Sequence, residues 1–228
     1  MRTGAGASCH IHAADLLSER RAPKLRSMLS RRAFVAAAAS SPLWAASDTW
    51  AAATHYTVRD LVVPGSRKLG QRFSLLIPKR IAKGTKVPLL VALHGLGETG
   101  DQKLGARAWL DRYGLGSSYD RLCSPPITAT SKRHWKASRL VAVNALLAKQ
   151  PFRGMAIVCP YTPNVYKMSR KSALDQYAEW LVATVLPKAR KLAPVYSDAA
   201  HTHLTGCSLG GYVGIDVLLR KPKHFGAF

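Results

Sequence analysis

The 228-residue chain carries 34 Lys and Arg against 12 Asp and Glu, a formal net charge of +22, with 47% hydrophobic and 8% aromatic residues. The length left after an N-terminal signal suffices for one domain with a sizeable core and no more. No apolar run reaches the ~20 residues of a membrane-spanning helix. Aromatics are not interleaved with the basic residues, which argues against a nucleic-acid interface.

In chain order, Ser30-Arg31-Arg32-Ala33-Phe34-Val35 forms a twin-arginine pattern, followed by an alanine-rich apolar stretch through Ala46 and small residues at Ala51-Ala52-Ala53. Arg pair, apolar region and cleavage site occur in the order of an export signal. Residues 1–53 are therefore read as a signal region, with Thr54 as first mature residue and Met28 as an alternative start. The expected destination is the periplasm or the exterior. The alternative is an alanine-rich helix with an incidental arginine pair.

Residues 54–228 are read as one partial domain. Strands are expected near Tyr56–Val63 and Arg72–Ile77, as an antiparallel opening hairpin, and then at Leu89–Leu93, Met155–Cys159 and His201–Thr205. The first two of these last three are continuous apolar runs, as for strands buried on both faces, and the third is read as a further buried run. Helical patterns fall at Ala137–Ala148, Ser172–Lys191 and Leu209–Arg220. Strands alternating with helices imply a mostly parallel sheet with right-handed crossovers. Gly114 to Arg133 reads as a long loop able to shape a pocket, and Tyr161-Thr162-Pro163-Asn164 as a candidate substrate contact on the strand C-terminal edge.

Two motifs carry chemistry. The strand at Leu89–Leu93 runs into His94-Gly95-Leu96-Gly97-Glu98-Thr99-Gly100, and the last strand into Gly206-Cys207-Ser208-Leu209-Gly210-Gly211. The second is a G-x-S-x-G pattern between a strand and a helix, the context of a nucleophile elbow, where a tight turn leaves a serine hydroxyl exposed above the sheet. Ser208 is the candidate nucleophile, with Gly206, Gly210 and Gly211 as elbow residues. The alternative is a glycine-rich turn with Ser208 as a helix N-cap. An HG loop after an early strand supplies one oxyanion donor and the residue after the nucleophile the other. Those donors are the backbone N–H groups of Leu96 and Leu209, with His94, Gly95 and Gly97 shaping the loop. Each is worth about 3–4 kcal/mol to a tetrahedral intermediate in comparable sites. The plainer reading of His94-Gly95 is a strand-end turn with a hydrogen-bonded histidine.

With Leu89 to Gly97, Ile157-Val158-Cys159-Pro160 and Leu204 to Phe228, the chain resembles the α/β-hydrolase superfamily, and within it exported bacterial carboxylesterases of the esterase D, polyhydroxybutyrate depolymerase and feruloyl esterase group. The resemblance implies the N-terminal portion of an α/β-hydrolase fold, a mostly parallel sheet with helices on both faces. It also implies hydrolysis of carboxylic esters, small or polymeric, through an acyl-enzyme on Ser208, with no cofactor and no metal. A serine peptidase of prolyl-oligopeptidase type shares the G-x-S-x-G-G elbow. A non-catalytic relic or a basic envelope-binding module is the reading from another class.

A triad in this superfamily runs Ser, Asp or Glu, then His. After Ser208 only Asp216 and His224 follow as such partners, and at 1.5 Å per helical residue Asp216 lies ~12 Å along the axis from the serine. Neither fits a general base at hydrogen-bond distance; the acid and base are expected beyond residue 228. His201 and His203 form an H-x-H pair, read as strand packing rather than a metal site. His55 and His134 suggest no role.

Without residues 1–53 the chain holds 27 Lys and Arg against 9 Asp and Glu. Such a surface can be merely solvated, or can attract an anionic envelope partner. Of four cysteines, Cys9 falls in the signal region, Cys123 and Cys159 could pair, and Cys207 reads as a small packing residue of the elbow.

Overall fold

A computed structural model describes residues 55–130 and 135–228. The signal region and His134 lie outside them. Five strands, β1 (Tyr56–Val62), β2 (Arg72–Pro78), β3 (Leu89–Leu93), β4 (Ala156–Pro160) and β5 (Thr202–Gly206), form one sheet in the order β1-β2-β4-β3-β5. β1 and β2 are the expected antiparallel hairpin, β2 is also antiparallel to β4, and β4, β3 and β5 are mutually parallel. Four strands thus point one way and β2 the other. The α/β architecture expected from the sequence is present.

Side-chain alternation along the strands builds a core on each face. Leu75, Val91, Val158 and Leu204 face one way, onto Tyr177, Leu181, Leu186, Val213 and Val217. Leu76, Ala92 and Ile157 face the other, onto Leu110 and Tyr119. The first layer is built by α4 (Arg170–Trp180), α5 (Leu186–Leu192) and α6 (Leu209–Arg220), the second by α1 (Gln102–Asp111) and α2 (Leu115–Cys123). A further helix, α3 (Ala137–Lys149), buries only Leu147.

Three expectations are corrected. Helix α1 stands where none was assigned; Asp101 caps it by accepting the Leu104 N–H at 2.7 Å. The stretch Gly114–Arg133 is not all loop: Gly114 turns in the left-handed region (φ 72°) and α2 follows at once. The single helix over Ser172–Lys191 is α4 and α5 joined by a π-helical turn, Leu181–Val185. Pro187 near the start of α5 has no N–H to complete an i→i−4 bond, and its ring crowds the preceding turn, which favours the wider spacing. Among the described residues Cys123, Cys159 and Cys207 are free thiols, and no helix is long and apolar enough to cross a membrane.

Candidate active site

The elbow is built by close backbone approach. A Cβ on Gly206 would lie 2.2 Å from the Gly210 carbonyl group, and one on Gly210 would lie 2.3 Å from Leu93 O. Both positions therefore exclude a side chain. The same Leu93 oxygen accepts the Cys207 N–H at 3.1 Å, binding the turn to the end of β3. Gly211 has ordinary space around it, so the third glycine of the run is not required sterically.

Ser208 occupies φ 52°, ψ −115°, the one positive-φ residue other than glycine among those described. Such a conformation costs on the order of 1–3 kcal/mol and persists only where surrounding structure enforces it. The residue is exposed and stands at the N-cap of α6, yet its hydroxyl makes no capping bond. The cap reading of Ser208 thus fails, and Oγ is left facing solvent beside the first turn of α6.

The HG loop lies against this turn. A Cβ on Gly95 would be 3.8 Å from Ser208 Cβ and 3.5 Å from Cys207 O. Leu96 is the first residue of a short 3-10 turn, Leu96–Glu98, and Leu209 the first of α6. N–H groups in a helical first turn lack intrahelical partners and carry the positive end of the dipole. The Gly95 N–H is already engaged, donating to Tyr113 Oη at 3.2 Å. Gly97 has nothing within 4 Å of its would-be Cβ and contributes no steric demand.

His94 is a brace. It is fully buried; its Nε2 accepts the Thr162 N–H at 2.8 Å, so Nδ1 carries the proton and donates to Gly95 O, also at 2.8 Å. Burial lowers its pKa, with the Gly95 bond opposing. The neutral ring thereby joins the end of β3 to the segment after β4. Tyr161 and Thr162 are buried in this joint, Tyr161 donating to Thr99 O at 2.7 Å, so they support the loop rather than contact substrate.

Two residues of the loop's support had no signal strong enough to single them out. Glu98 is 6% exposed and accepts the Tyr113 hydroxyl at 2.7 Å, with Arg112 Nη1 3.5 Å from its other oxygen. Burial, then the bond to Glu98, pushes the Tyr113 phenol up to about 12, so it stays protonated. Only the acidic residue in the HG loop hinted at this arrangement. Tyr113, whose hydroxyl holds the Gly95 N–H, also lines a cleft of about 620 Å³ with Arg112, Ser117, Leu122, Ile127 and Trp135. At the same sheet edge, exposed Tyr166 and Tyr212 stack at 5.9 Å, and Arg170 covers Tyr166 at 5.1 Å.

The other candidates lie elsewhere. Asp216 pairs with Arg220 in α6, and His224 sits in the turn after it. His201 belongs to the 3-10 turn before β5, not to the strand; it bonds Asp198 at 2.7 Å and stacks on Tyr196, while His203 lies within β5. Among the described residues Ser208 Oγ is hydrogen-bonded to no histidine, and no group of three or more His, Cys, Asp or Glu is arranged to hold a metal ion.

No protein-family model and no curated protein matches the chain. Solved structures similar to it include a ferulic acid esterase from Anaeromyces mucronatus (16% identity, TM-score 0.49, 76% of this chain and 57% of that one). Others are S-formylglutathione hydrolase from Staphylococcus aureus (14%, 0.40, 76% and 57%) and the enterobactin esterase from Shigella flexneri (15%, 0.42, 75% and 35%). The chain spans little more than half the length of the first two and about a third of the third.

Proposed function

We propose that the protein is a serine esterase that cleaves carboxylic esters through an acyl-enzyme on Ser208. The observation that carries the reading is the strained Ser208 backbone, with its hydroxyl uncapped beside the first-turn amides of Leu96 and Leu209. In the reaction Ser208 Oγ attacks the ester carbonyl, and the tetrahedral oxygen accepts from those two amides. The alcohol departs with a proton, and water then releases the acid. The cleft beside Tyr113, with polar Ser117 and Arg112 and apolar Leu122 and Trp135, suits the bound ester. The proton acceptor for Ser208 is not among the described histidines.

Export by a twin-arginine signal in residues 1–53 belongs to the same reading. It is tested by cell fractionation, with Arg31→Lys plus Arg32→Lys expected to retain the protein in the cytoplasm. An attraction of the basic surface to anionic envelope polymer is tested by salt-dependent retention on isolated cell walls.

The decisive experiment treats the protein as the cell makes it with a fluorophosphonate and maps the modified peptide. Modification at Ser208, lost in Ser208→Ala together with turnover of p-nitrophenyl esters, supports the esterase. An unmodified Ser208 in folded protein sinks it. Aminoacyl-proline amides hydrolysed faster than esters would favour a peptidase instead.

A further inference from the structure

A second set of serine, histidine and aspartate lies far from the elbow. β1 runs in the direction of β3, β4 and β5, so its start is at the sheet edge opposite the one where Gly206 ends. His55 immediately precedes β1 and fixes its position there, accepting the Lys79 N–H on its carbonyl at 2.8 Å. Its Nδ1 is 3.0 Å from Asp120 Oδ1, in the last turn of α2. Its Nε2 is 3.3 Å from the hydroxyl of Ser124, the residue at the α2 C-cap. A carboxylate accepts only from a protonated nitrogen, so with Asp120 ionised the Nδ1 carries the proton and the Nε2 lone pair faces Ser124. That is the tautomer a general base needs, oriented by an acid on its far side.

The geometry points to Ser124–His55–Asp120 as a second reactive centre, in which Ser124 is a nucleophile toward small esters that carry a negative charge. The surroundings supply the rest. A cleft of about 290 Å³ is lined by His55, Asp120, Arg121, Ser124, Ile127 and Thr128. Ser124 is exposed to it, while the His55 side chain is 15% exposed and held. Arg121, fixed by donating to Thr128 O, is a cation available to a developing oxyanion. Arg80 and Arg153 line the neighbouring cleft, which shares His55, so three guanidinium groups border the two clefts, and an anionic acyl donor is favoured.

In the reaction Ser124 Oγ bonds to the acyl carbon while its proton passes to His55 Nε2. The bond to the leaving oxygen then breaks, and that oxygen takes the proton from Nε2. Water, deprotonated by the same nitrogen, later cleaves the acyl-serine and regenerates the hydroxyl. Ser124 and His55 touch the reacting atoms; Asp120 is a positioning residue.

The test uses the Ser208→Ala protein as the cell makes it, so its outcome is independent of the elbow. Exposure to diisopropyl fluorophosphate is expected to place the phosphoryl group on Ser124, with loss of fluoride, and Ser124→Ala is expected to abolish it. His55→Gln should slow labelling at Ser124 by about 100-fold or more, the scale of general-base assistance. Asp120→Asn should slow it and displace its pH profile, with Asp120→Glu restoring part of the rate. Succinic acid mono-p-nitrophenyl ester should acylate Ser124 faster than p-nitrophenyl acetate. An unmodified Ser124 in folded Ser208→Ala protein, or a rate unchanged by His55→Gln, overturns the centre. Equal rates with the two esters overturn the preference for anions.

Discussion

Tyr113 holds Gly95. Its hydroxyl accepts the Gly95 N–H at 3.2 Å while donating to the buried Glu98 at 2.7 Å, so the loop that offers the Leu96 amide is fixed through a phenol from beyond α1. Tyr113→Phe removes one atom and strands both partners. Stability is expected to fall by about 1–3 kcal/mol, the cost of unpaired buried polar groups. Ester turnover is expected to fall at least about tenfold, because the amide is no longer preorganised. Urea unfolding and p-nitrophenyl ester kinetics check the two parts.

Ser208 stands in a backbone conformation that favours glycine. Ser208→Gly should raise stability by about 1 kcal/mol as the strain is relieved, while abolishing Ser208 labelling. Ser208→Ala should lose the labelling without that gain. Thermal midpoints of the two variants, compared with the parent, separate strain from chemistry.

The glycines of the two motifs divide by what surrounds them. Gly210→Ala places a methyl group 2.3 Å from the Leu93 carbonyl oxygen and is expected to cost about 3 kcal/mol or more, because backbone must move. Gly97→Ala meets nothing within 4 Å and should be neutral within about 0.5 kcal/mol. Denaturant midpoints measured side by side check the contrast.

His94 gives the fold a pH dependence of known sign. Burial lowers its folded pKa beneath the ordinary 6.5, so below about pH 6.5 the unfolded chain takes up a proton that the folded chain refuses. Its contribution is present above pH 6.5 and is lost as pH falls toward the folded pKa, with a slope of up to about 1.4 kcal/mol per pH unit. His94→Leu should be less stable at pH 7, since the Thr162 N–H loses its acceptor, and should show a flatter decline to pH 5. Urea unfolding at both pH values decides it.

The strands were legible because their burial is written locally: Leu89–Leu93 and Ala156–Pro160 are apolar on both faces, and Thr202–Gly206 runs directly into its motif. α2 was not, because Gly114 before it and Gly116, Ser117 and Ser118 within it have loop composition, and the helix is held by packing of Tyr119 against the sheet. α1 is amphipathic, but a glycine-rich approach hides its Asp101 cap. At the elbow and the HG loop, the placement of Ser208 and of the Leu209 and Leu96 amides follows from adjacent residues. The supports do not: Tyr113 meets Glu98 across 15 residues, and His55 meets Asp120 across 65. Contacts of that span depend on how the layers close, and no local pattern encodes them.

The reference points of Ser208 are strand ends. Leu93 O receives Cys207 and crowds Gly210, and His94 ties that strand end to Thr162 after β4. The segments that cover the cleft beyond Tyr113, α2 and the chain after it, take no part in this framework. They can be shortened, lengthened or exchanged for those of another protein, changing what is admitted while the serine stays in place. Tyr113 is the residue any such graft has to retain.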